Sequence, residues 1–211
     1  MLVIDDNSPD GTATKVSDLM KQYPNLGLLS RSRKEGLGAA YKHAIQYVLD
    51  KGNVGKIIMM DADGSHGVEY IEKMLEECDS YDFVIGSRYV AGGGSEDWQL
   101  SRYLLSLYGN LYSRILTGLQ VRDQTAGFYC FRGDLLRKMD MDSIRASGYA
   151  FQVDLKYHAI RERGASVKEI PILFKNRRAG ESKISSAIIR EGLKTPLRLF
   201  GRRIRSIFSR G

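Results

Sequence analysis

Short apolar runs alternate with helical stretches over the first ninety or so residues, and this alternation constrains the fold more than any other feature of the chain. Leu2–Ile4, Leu26–Leu29, Lys56–Met60 and Phe83–Ile85 have the length and composition of buried strands. Between them, Thr12–Tyr23, Leu37–Leu49 and Val68–Glu77 carry helical spacing. Strands alternating with helices predict a parallel α/β sheet with both faces covered. Turn chemistry marks the first boundary, where Asn7-Ser8-Pro9-Asp10-Gly11 follows the opening strand directly. After Phe83–Ile85 the pattern changes. Gly92-Gly93-Gly94 leads into a long helix from about Gln99 to Thr117, then a strand over Gly127–Phe131, a helix from about Ala150 to Arg163 and a strand near Val167–Ile170.

The 211 residues suffice for one domain of ordinary size, and 43% hydrophobic with 27% charged residues excludes a disordered or fibrous chain. Cys78 and Cys130 form no paired motif, which argues against a disulfide scaffold or a cysteine zinc site and for a reducing compartment. No apolar run approaches the ~20 residues of a spanning helix, and no signal peptide opens the sequence, so a soluble or membrane-peripheral protein is expected. The net charge of +7 is placed unevenly: residues 186–211 carry seven basic side chains against Glu191, leaving only +1 for the rest. A near-neutral body with a basic tail predicts an anionic partner at the C-terminus. Without a nucleic-acid motif, a membrane surface is the better candidate than nucleic acid.

Two acid pairs close strands. Asp61-Ala62-Asp63 follows Lys56–Met60, and Asp5-Asp6 follows Leu2–Ile4. In open α/β sheets ligands sit beyond the carboxyl ends of strands. Two carboxylates there suit a hard cation such as Mg²⁺ or Mn²⁺ bridging to a diphosphate. Both pairs also suit plain turn-and-cap chemistry; as ligand groups, one would grip metal and the other a ribose or base. Gly86-Ser87-Arg88-Tyr89 places Arg88 at the same kind of rim, and Arg102 and Ser106, four apart on the long helix, share a face suited to phosphate. Leu100, Leu104, Leu107, Leu111 and Ile115 mark the apolar face of that helix. His43, His66 and His158 have no ligand spacing, and neither a P-loop nor a nucleophilic serine elbow is present.

Taken in order, Asp5-Asp6-Asn7-Ser8-Pro9-Asp10-Gly11-Thr12, Asp61-Ala62-Asp63, Gly86-Ser87-Arg88-Tyr89, Asp123-Gln124-Thr125-Ala126-Gly127-Phe128, Phe151-Gln152-Val153 and Gly180-Glu181-Ser182-Lys183 resemble the dolichol-phosphate (polyprenyl-phosphate) mannosyltransferases of glycosyltransferase family 2, from about Leu2 to Gly192. The resemblance implies a GT-A fold, Rossmann-like, with a mostly parallel sheet flanked by helices. It also implies transfer of mannose from GDP-mannose to dolichyl or polyprenyl phosphate with inversion. By position, Ile4 and Asp6 would contact the nucleotide; Asp61, Ala62 and Asp63 would hold nucleotide and metal, with Ser65 a third metal ligand and Mg²⁺ or Mn²⁺ the cofactor. Arg88, Arg102 and Ser106 would bind the acceptor phosphate, and Arg177 and Lys183 the donor diphosphate. Asp61, Asp63 and Arg88 would carry catalysis. Two departures stand out: Gly64 replaces a larger residue, often leucine, and the family's opening strand and Thr-Tyr-Asn-Glu loop have no counterpart, which implies a truncated N-terminus. A polyprenyl-phosphate glucosyltransferase and a non-catalytic membrane-associated subunit are the competing readings.

The expected organisation is a catalytic domain over residues 1–185 and a membrane-proximal tail over 186–211. In the tail, Ile189, Leu193, Leu197, Phe200, Ile204 and Ile207 recur at spacings of 4, 4, 3, 4 and 3, the stripe of an amphipathic helix. Thr195-Pro196 reads as a cap and first helical residue, which predicts two short helices with a break there. Arg190, Lys194, Arg198, Arg202 and Arg205 run beside the stripe, so peripheral attachment to an anionic membrane, on its cytoplasmic face, is expected, with packing on the catalytic domain the equal alternative for the first helix; the family resemblance adds small membrane subunits as further partners.

Overall fold

Residues 1–52, 54–176 and 186–208 are described in the computed structural model, and they divide into two units, Met1–Gly52 and Asn53–Gly211. In the first unit β1 (Leu2–Asp5) leads into α1 (Thr12–Met20), β2 (Gly27–Ser30) and α2 (Leu37–Asp50). β1 and β2 pair in parallel from Leu2 opposite Gly27 to Asp5 opposite Ser30, the geometry that a helical crossover dictates. The turn before α1 is tied by its own polar side chains. Ser8 N–H donates to Asp5 Oδ2 at 3.2 Å, and Thr12 donates to Asp10 Oδ1 through both N–H and Oγ1.

The second unit begins with β3 (Lys56–Met59), a 3₁₀ turn over Val68–Tyr70, α3 (Ile71–Glu77), β4 (Phe83–Ser87) and the short β5 (Gly94–Ser95). It continues through α4 (Leu100–Thr117), β6 (Tyr129–Arg132), α5 (Gly133–Lys138), α6 (Phe151–Tyr157), β7 (Val167–Pro171), β8 (Leu173–Phe174) and α7 (Ser186–Phe208). Four strands form a sheet in the order β3-β6-β4-β7. The strand expected over 127–131 is β6, and it runs antiparallel to both of its neighbours. The long excursion through α4 lets the chain re-enter the sheet in the opposite sense. Elsewhere the ladders are parallel, as the strand–helix alternation predicts.

Every residue of β4 is buried, and Phe128, Cys130, Val84, Met74 and Cys78 pack together as a core against Ile170 and Ile172. Cys78 and Cys130, distant in sequence, meet there as buried free thiols of one core cluster, a proximity that spacing alone does not reveal. The helix expected over 150–163 is regular only through Tyr157 and then widens into a π turn over His158–Glu162.

The tail departs from expectation. α7 is one continuous helix with Pro196 inside it, not two helices with a break. An internal proline removes a backbone hydrogen bond and costs about 3 kcal/mol, so tertiary contacts must offset it. They lie on both sides of the proline. Before it, Glu191 accepts from Ser147 N–H at 2.7 Å and Gly148 N–H at 2.9 Å, and Tyr112 Oη donates to the Leu193 carbonyl at 3.0 Å. After it, Leu199 is fully buried among Leu119, Val153 and Tyr157; Arg198 pairs with Asp154, and Arg202 with Glu162 at 2.7 Å. The orientation also differs from a helix that offers all its cations to a partner. Arg198 and Arg202 turn inward, while Ile189, Leu193, Leu197, Phe200, Ile204 and Phe208 are exposed. α7 packs on α4, which likewise exposes Leu100, Leu104, Tyr108, Leu111 and Ile115.

Candidate active site

At the carboxyl end of β1, Ile4 is exposed, Asp5 is buried and Asp6 holds an arginine. Arg31 Nη1 donates to both oxygens of Asp6, at 2.8 and 3.0 Å, and its Nη2 donates to Glu35 at 2.8 Å. The guanidinia of Arg33 and Arg31 hold the Glu35 carboxyl below its ordinary range. Asp6, expected at a nucleotide, is thus already oriented by a buried cation. Sequence reading passed over Arg31, although the register supplies the signal: Asp5 pairs with Ser30, so the residues just beyond each strand stand side by side.

In the second unit the loop after β3 is wound tightly. Asp61 N–H donates to His66 Nδ1 at 3.0 Å, which leaves the ring proton on Nε2. Asp63 Oδ1 accepts from Ser65 N–H at 3.0 Å and from Ser65 Oγ at 2.5 Å, across Gly64 at φ 78°. Glycine suits that left-handed position, and a larger side chain would be strained on this backbone. His66 stacks on Phe128 at 4.9 Å, and the Ser65 carbonyl accepts from Lys175 N–H, so the loop is fixed from beneath.

Ser65, expected as a metal ligand, is completely buried with its hydroxyl proton turned to Asp63. It braces Asp63 instead of reaching outward. Asp61 and Asp63 are partly exposed, and carboxylate oxygens are the donor type a hard cation takes. Among the described residues no group of three or more His, Cys, Asp or Glu side chains comes together as a metal cage. A cation here would therefore draw part of its shell from a diphosphate or water. Gly127 backs this loop: a Cβ on it would lie 3.3 Å from Gln152 Nε2 and 4.0 Å from Asp61 Oδ1.

Arg88, just beyond β4, is held by a buried carboxylate. Its N–H and Nε donate to Asp123 Oδ2 at 3.0 and 2.8 Å, and its Nη2 donates to Asp123 Oδ1 at 2.7 Å and to Thr125 Oγ1 at 2.9 Å. Burial alone would raise the Asp123 carboxyl; the adjoining guanidinium overrides it and holds the carboxyl below the usual range. Burial likewise opposes the charge on Arg88, and Asp123 outweighs it. Ser106 accepts from Tyr89 Oη at 2.8 Å, and the Arg102 guanidinium lies 4.3 Å from the centre of the Trp98 ring. The same ring is 5.4 Å from the Arg88 guanidinium, so one indole carries both arginines. Arg88, Arg102 and Ser106 are thus grouped around Tyr89 and Trp98, two aromatic residues that sequence reading did not single out.

An open cavity of about 460 Å³ adjoins Arg88, lined by Tyr103, Leu107, Asn110, Arg114 and Arg122 among others. Cations at one wall and α4 leucines at another suit an anionic group bearing an apolar chain. Arg177 and Lys183 lie outside the described residues.

The sequence profile of glycosyl transferase family 2 matches residues 1–144. The chain is 42% identical over 193 residues to the undecaprenyl-phosphate mannosyltransferase of Micrococcus luteus, covering 92% of this chain and 79% of that protein. It is 42% identical over 195 residues to the polyprenol monophosphomannose synthase of Mycolicibacterium smegmatis, covering 92% and 73%. Among solved structures it resembles glucosyl-3-phosphoglycerate synthase from Mycobacterium tuberculosis in complex with Mn²⁺, UDP and glucosyl-3-phosphoglycerate, with a TM-score of 0.66 at 16% identity, over 95% of this chain and 68% of that one. A form of the same enzyme with Mg²⁺ and UDP gives a TM-score of 0.64. The strand-end acids, the arginine rim and these likenesses lead to one conclusion: the chain belongs to glycosyl transferase family 2, with the GT-A fold and polyprenyl-phosphate mannosyltransferases as its relatives.

Proposed function

We propose that the protein transfers mannose from GDP-mannose to a dolichyl or polyprenyl phosphate with inversion at the sugar carbon. The observation that carries this reading is the Arg88–Arg102–Trp98 cluster, whose Arg88 also lines a cavity that Leu107 and Leu111 of α4 wall on another side. A phosphomonoester carries about −1.5 to −2 charge at pH 7, so it is a nucleophile without a strong general base. One of its oxygens forms the new bond to the sugar carbon as the bond to the nucleotide diphosphate breaks. The tasks left to the protein are to hold two anions together and to stabilise the departing one.

On this reading Arg88, Arg102 and Ser106 bind the acceptor phosphate, and Asp61, Ala62 and Asp63 bind the donor. Ile4 and Asp6 keep the nucleotide role, and Arg177 and Lys183 the diphosphate role, that the family resemblance gives them. Asp61 and Asp63 would hold Mg²⁺ or Mn²⁺, which when bound supplies charge neutralisation at the departing diphosphate. That solved structures of the same fold carry Mn²⁺ or Mg²⁺ with UDP supports a divalent cation.

Among the described residues no helix is long and apolar enough to cross a membrane. The outward apolar stripes of α4 and α7 support peripheral attachment to an anionic membrane surface, on the cytoplasmic face, with small membrane subunits as further partners. α7 then acts as the membrane-proximal element, with 1–185 the catalytic part.

A donor panel tests the reaction: GDP-mannose, UDP-glucose and other sugar nucleotides with polyprenyl phosphate and Mg²⁺ or Mn²⁺. Mannose transfer from GDP-mannose is expected, with loss of product in a folded Asp63→Ala variant. Glucose transfer would identify the polyprenyl-phosphate glucosyltransferase, and no product from any donor a non-catalytic subunit.

A further inference from the structure

We infer that Lys156 is a positioning residue for the acceptor side of the site: from the buried helix α6 its side chain gathers the carbonyls of the loop that sets Asp123 against Arg88. The inference rests on the transfer reaction proposed above. No sequence motif pointed to this lysine, and α6, on which it sits, is buried at every position.

The loop over residues 121–126 is held from three directions. Glu169 on β7 accepts from Arg122 N–H at 2.8 Å and from Asp123 N–H at 3.0 Å. Asn110 on α4 accepts from Thr125 N–H at 3.0 Å and donates to Thr125 Oγ1 at 3.1 Å. Lys156 supplies the opposite polarity, its Nζ donating to the carbonyls of Gln124 at 3.1 Å and Ala126 at 2.8 Å. Glu169 thus fixes the amide side of the loop and Lys156 the carbonyl side. With both faces of those peptides pinned, Asp123 meets Arg88 through three donors, and Thr125 reaches its Nη2.

The cation is retained at a cost. Lys156 is wholly buried, and a buried charge is unfavourable unless it is well paired. The charged or titratable groups around it are Asp123 in the loop, Glu169 on β7, Arg88 beyond β4 and Tyr129 on β6, whose ring centre is 4.5 Å from Nζ. Burial, with a contribution from Arg88, outweighs the attraction of Asp123 and Glu169 and brings the amine down to about 7. An apolar residue of similar length would fill the same volume without that penalty. It would leave the Gln124 and Ala126 carbonyls without their donor and Asp123 without its second cation.

A consequence follows for pH. Below about 7 the ammonium offers three donors and a balancing charge; above it the amine offers two donors and none. The loop is expected to loosen, and acceptor affinity to fall, as pH rises through that value. A phosphomonoester with a second pKa of about 6 only gains negative charge as pH rises, so the ligand itself does not account for a fall in affinity.

The test combines hydrogen exchange over residues 121–126 with separate Michaelis constants for polyprenyl phosphate and GDP-mannose, in wild type, Lys156→Met and Lys156→Arg. Lys156→Met should speed exchange in the loop but not in the central strands, and raise the acceptor KM about tenfold, the worth of one charge-assisted hydrogen bond. The donor KM should stay put. Lys156→Arg should restore part of the acceptor affinity and flatten its dependence on pH. Unchanged loop exchange, or equal rises in both Michaelis constants, would overturn the inference.

Should Lys156→Met fail to fold, wild type alone decides. Loop exchange, corrected for its intrinsic rate, must be faster at pH 8.5 than at pH 6.5, and equal rates refute the role. If wild type transfers no sugar the transfer reading fails, while loop exchange still settles whether Lys156 positions Asp123.

Discussion

Helix α6 has two polar faces, and they do different work. On one, Gln152 and Lys156, four residues apart, meet Tyr129 and the loop that carries Asp123. On the other, Asp154 and, in the turn that continues the helix, His158, also four apart, meet α7. Asp154 accepts from Arg145 N–H, Ala146 N–H and Arg198, and Arg202 Nη1 lies 3.2 Å from His158 Nε2. Each face ends in a buried aspartate holding an arginine. Arg88 stands at an open cavity; Arg198 clips a helix in place. The same pair of residue types therefore borders the cavity proposed for the acceptor on one side and attaches a helix on the other, and only the neighbouring element tells them apart.

The two aspartates offer ways to break the comparison. Asp123→Asn should have the larger effect, because it leaves Arg88 buried without its counter-charge. Loss of one partner from a buried pair costs about 3–5 kcal/mol, readable in urea unfolding, and transfer should be lost with it. The wild-type pair should also be sensitive to acid. The folded Asp123 carboxyl sits below its ordinary value, so its contribution to stability is complete above the unfolded value near 4 and is lost as pH falls through the folded one.

Asp154→Ala should cost less, about 1–3 kcal/mol, because Arg198 is partly exposed and can recover solvent. Transfer to a short, water-soluble polyprenyl phosphate should survive, since the Arg88 platform is untouched. Flotation with anionic vesicles should change, because α7 is no longer seated with its apolar stripe outward. Unaltered flotation would separate Asp154 from the membrane face.

Much of the fold was legible because strands and helices alternate with clear apolar periods, and the strand-end acids and rim arginines stood where such a sheet displays them. The direction of β6 was not legible, since a short, wholly apolar run looks the same in either sense. The expected break at Pro196 failed because local turn chemistry was outweighed by contacts at Glu191, Leu193, Arg198 and Leu199 that only the folded chain supplies. The partners of the site residues were hidden for a similar reason. Asp123 lies 35 positions from Arg88, and Lys156 lies 30 from Ala126. Trp98, four residues before Arg102, was within reach of a reading that asked which aromatic ring a helical arginine lies on.

The central claim, that the Arg88–Arg102–Trp98 cluster receives a lipid-borne phosphate, is tested most directly by titrating polyprenyl phosphate at saturating GDP-mannose for wild type and Arg102→Ala. Arg102 is partly exposed on the first turn of α4 against Trp98, so its removal should cost far less thermal stability than the loss of Asp123. The acceptor KM should rise about tenfold or more, the worth of a charge-assisted contact, with the donor KM unaltered. Equal rises in both constants, or no rise in the acceptor constant, would contradict the account.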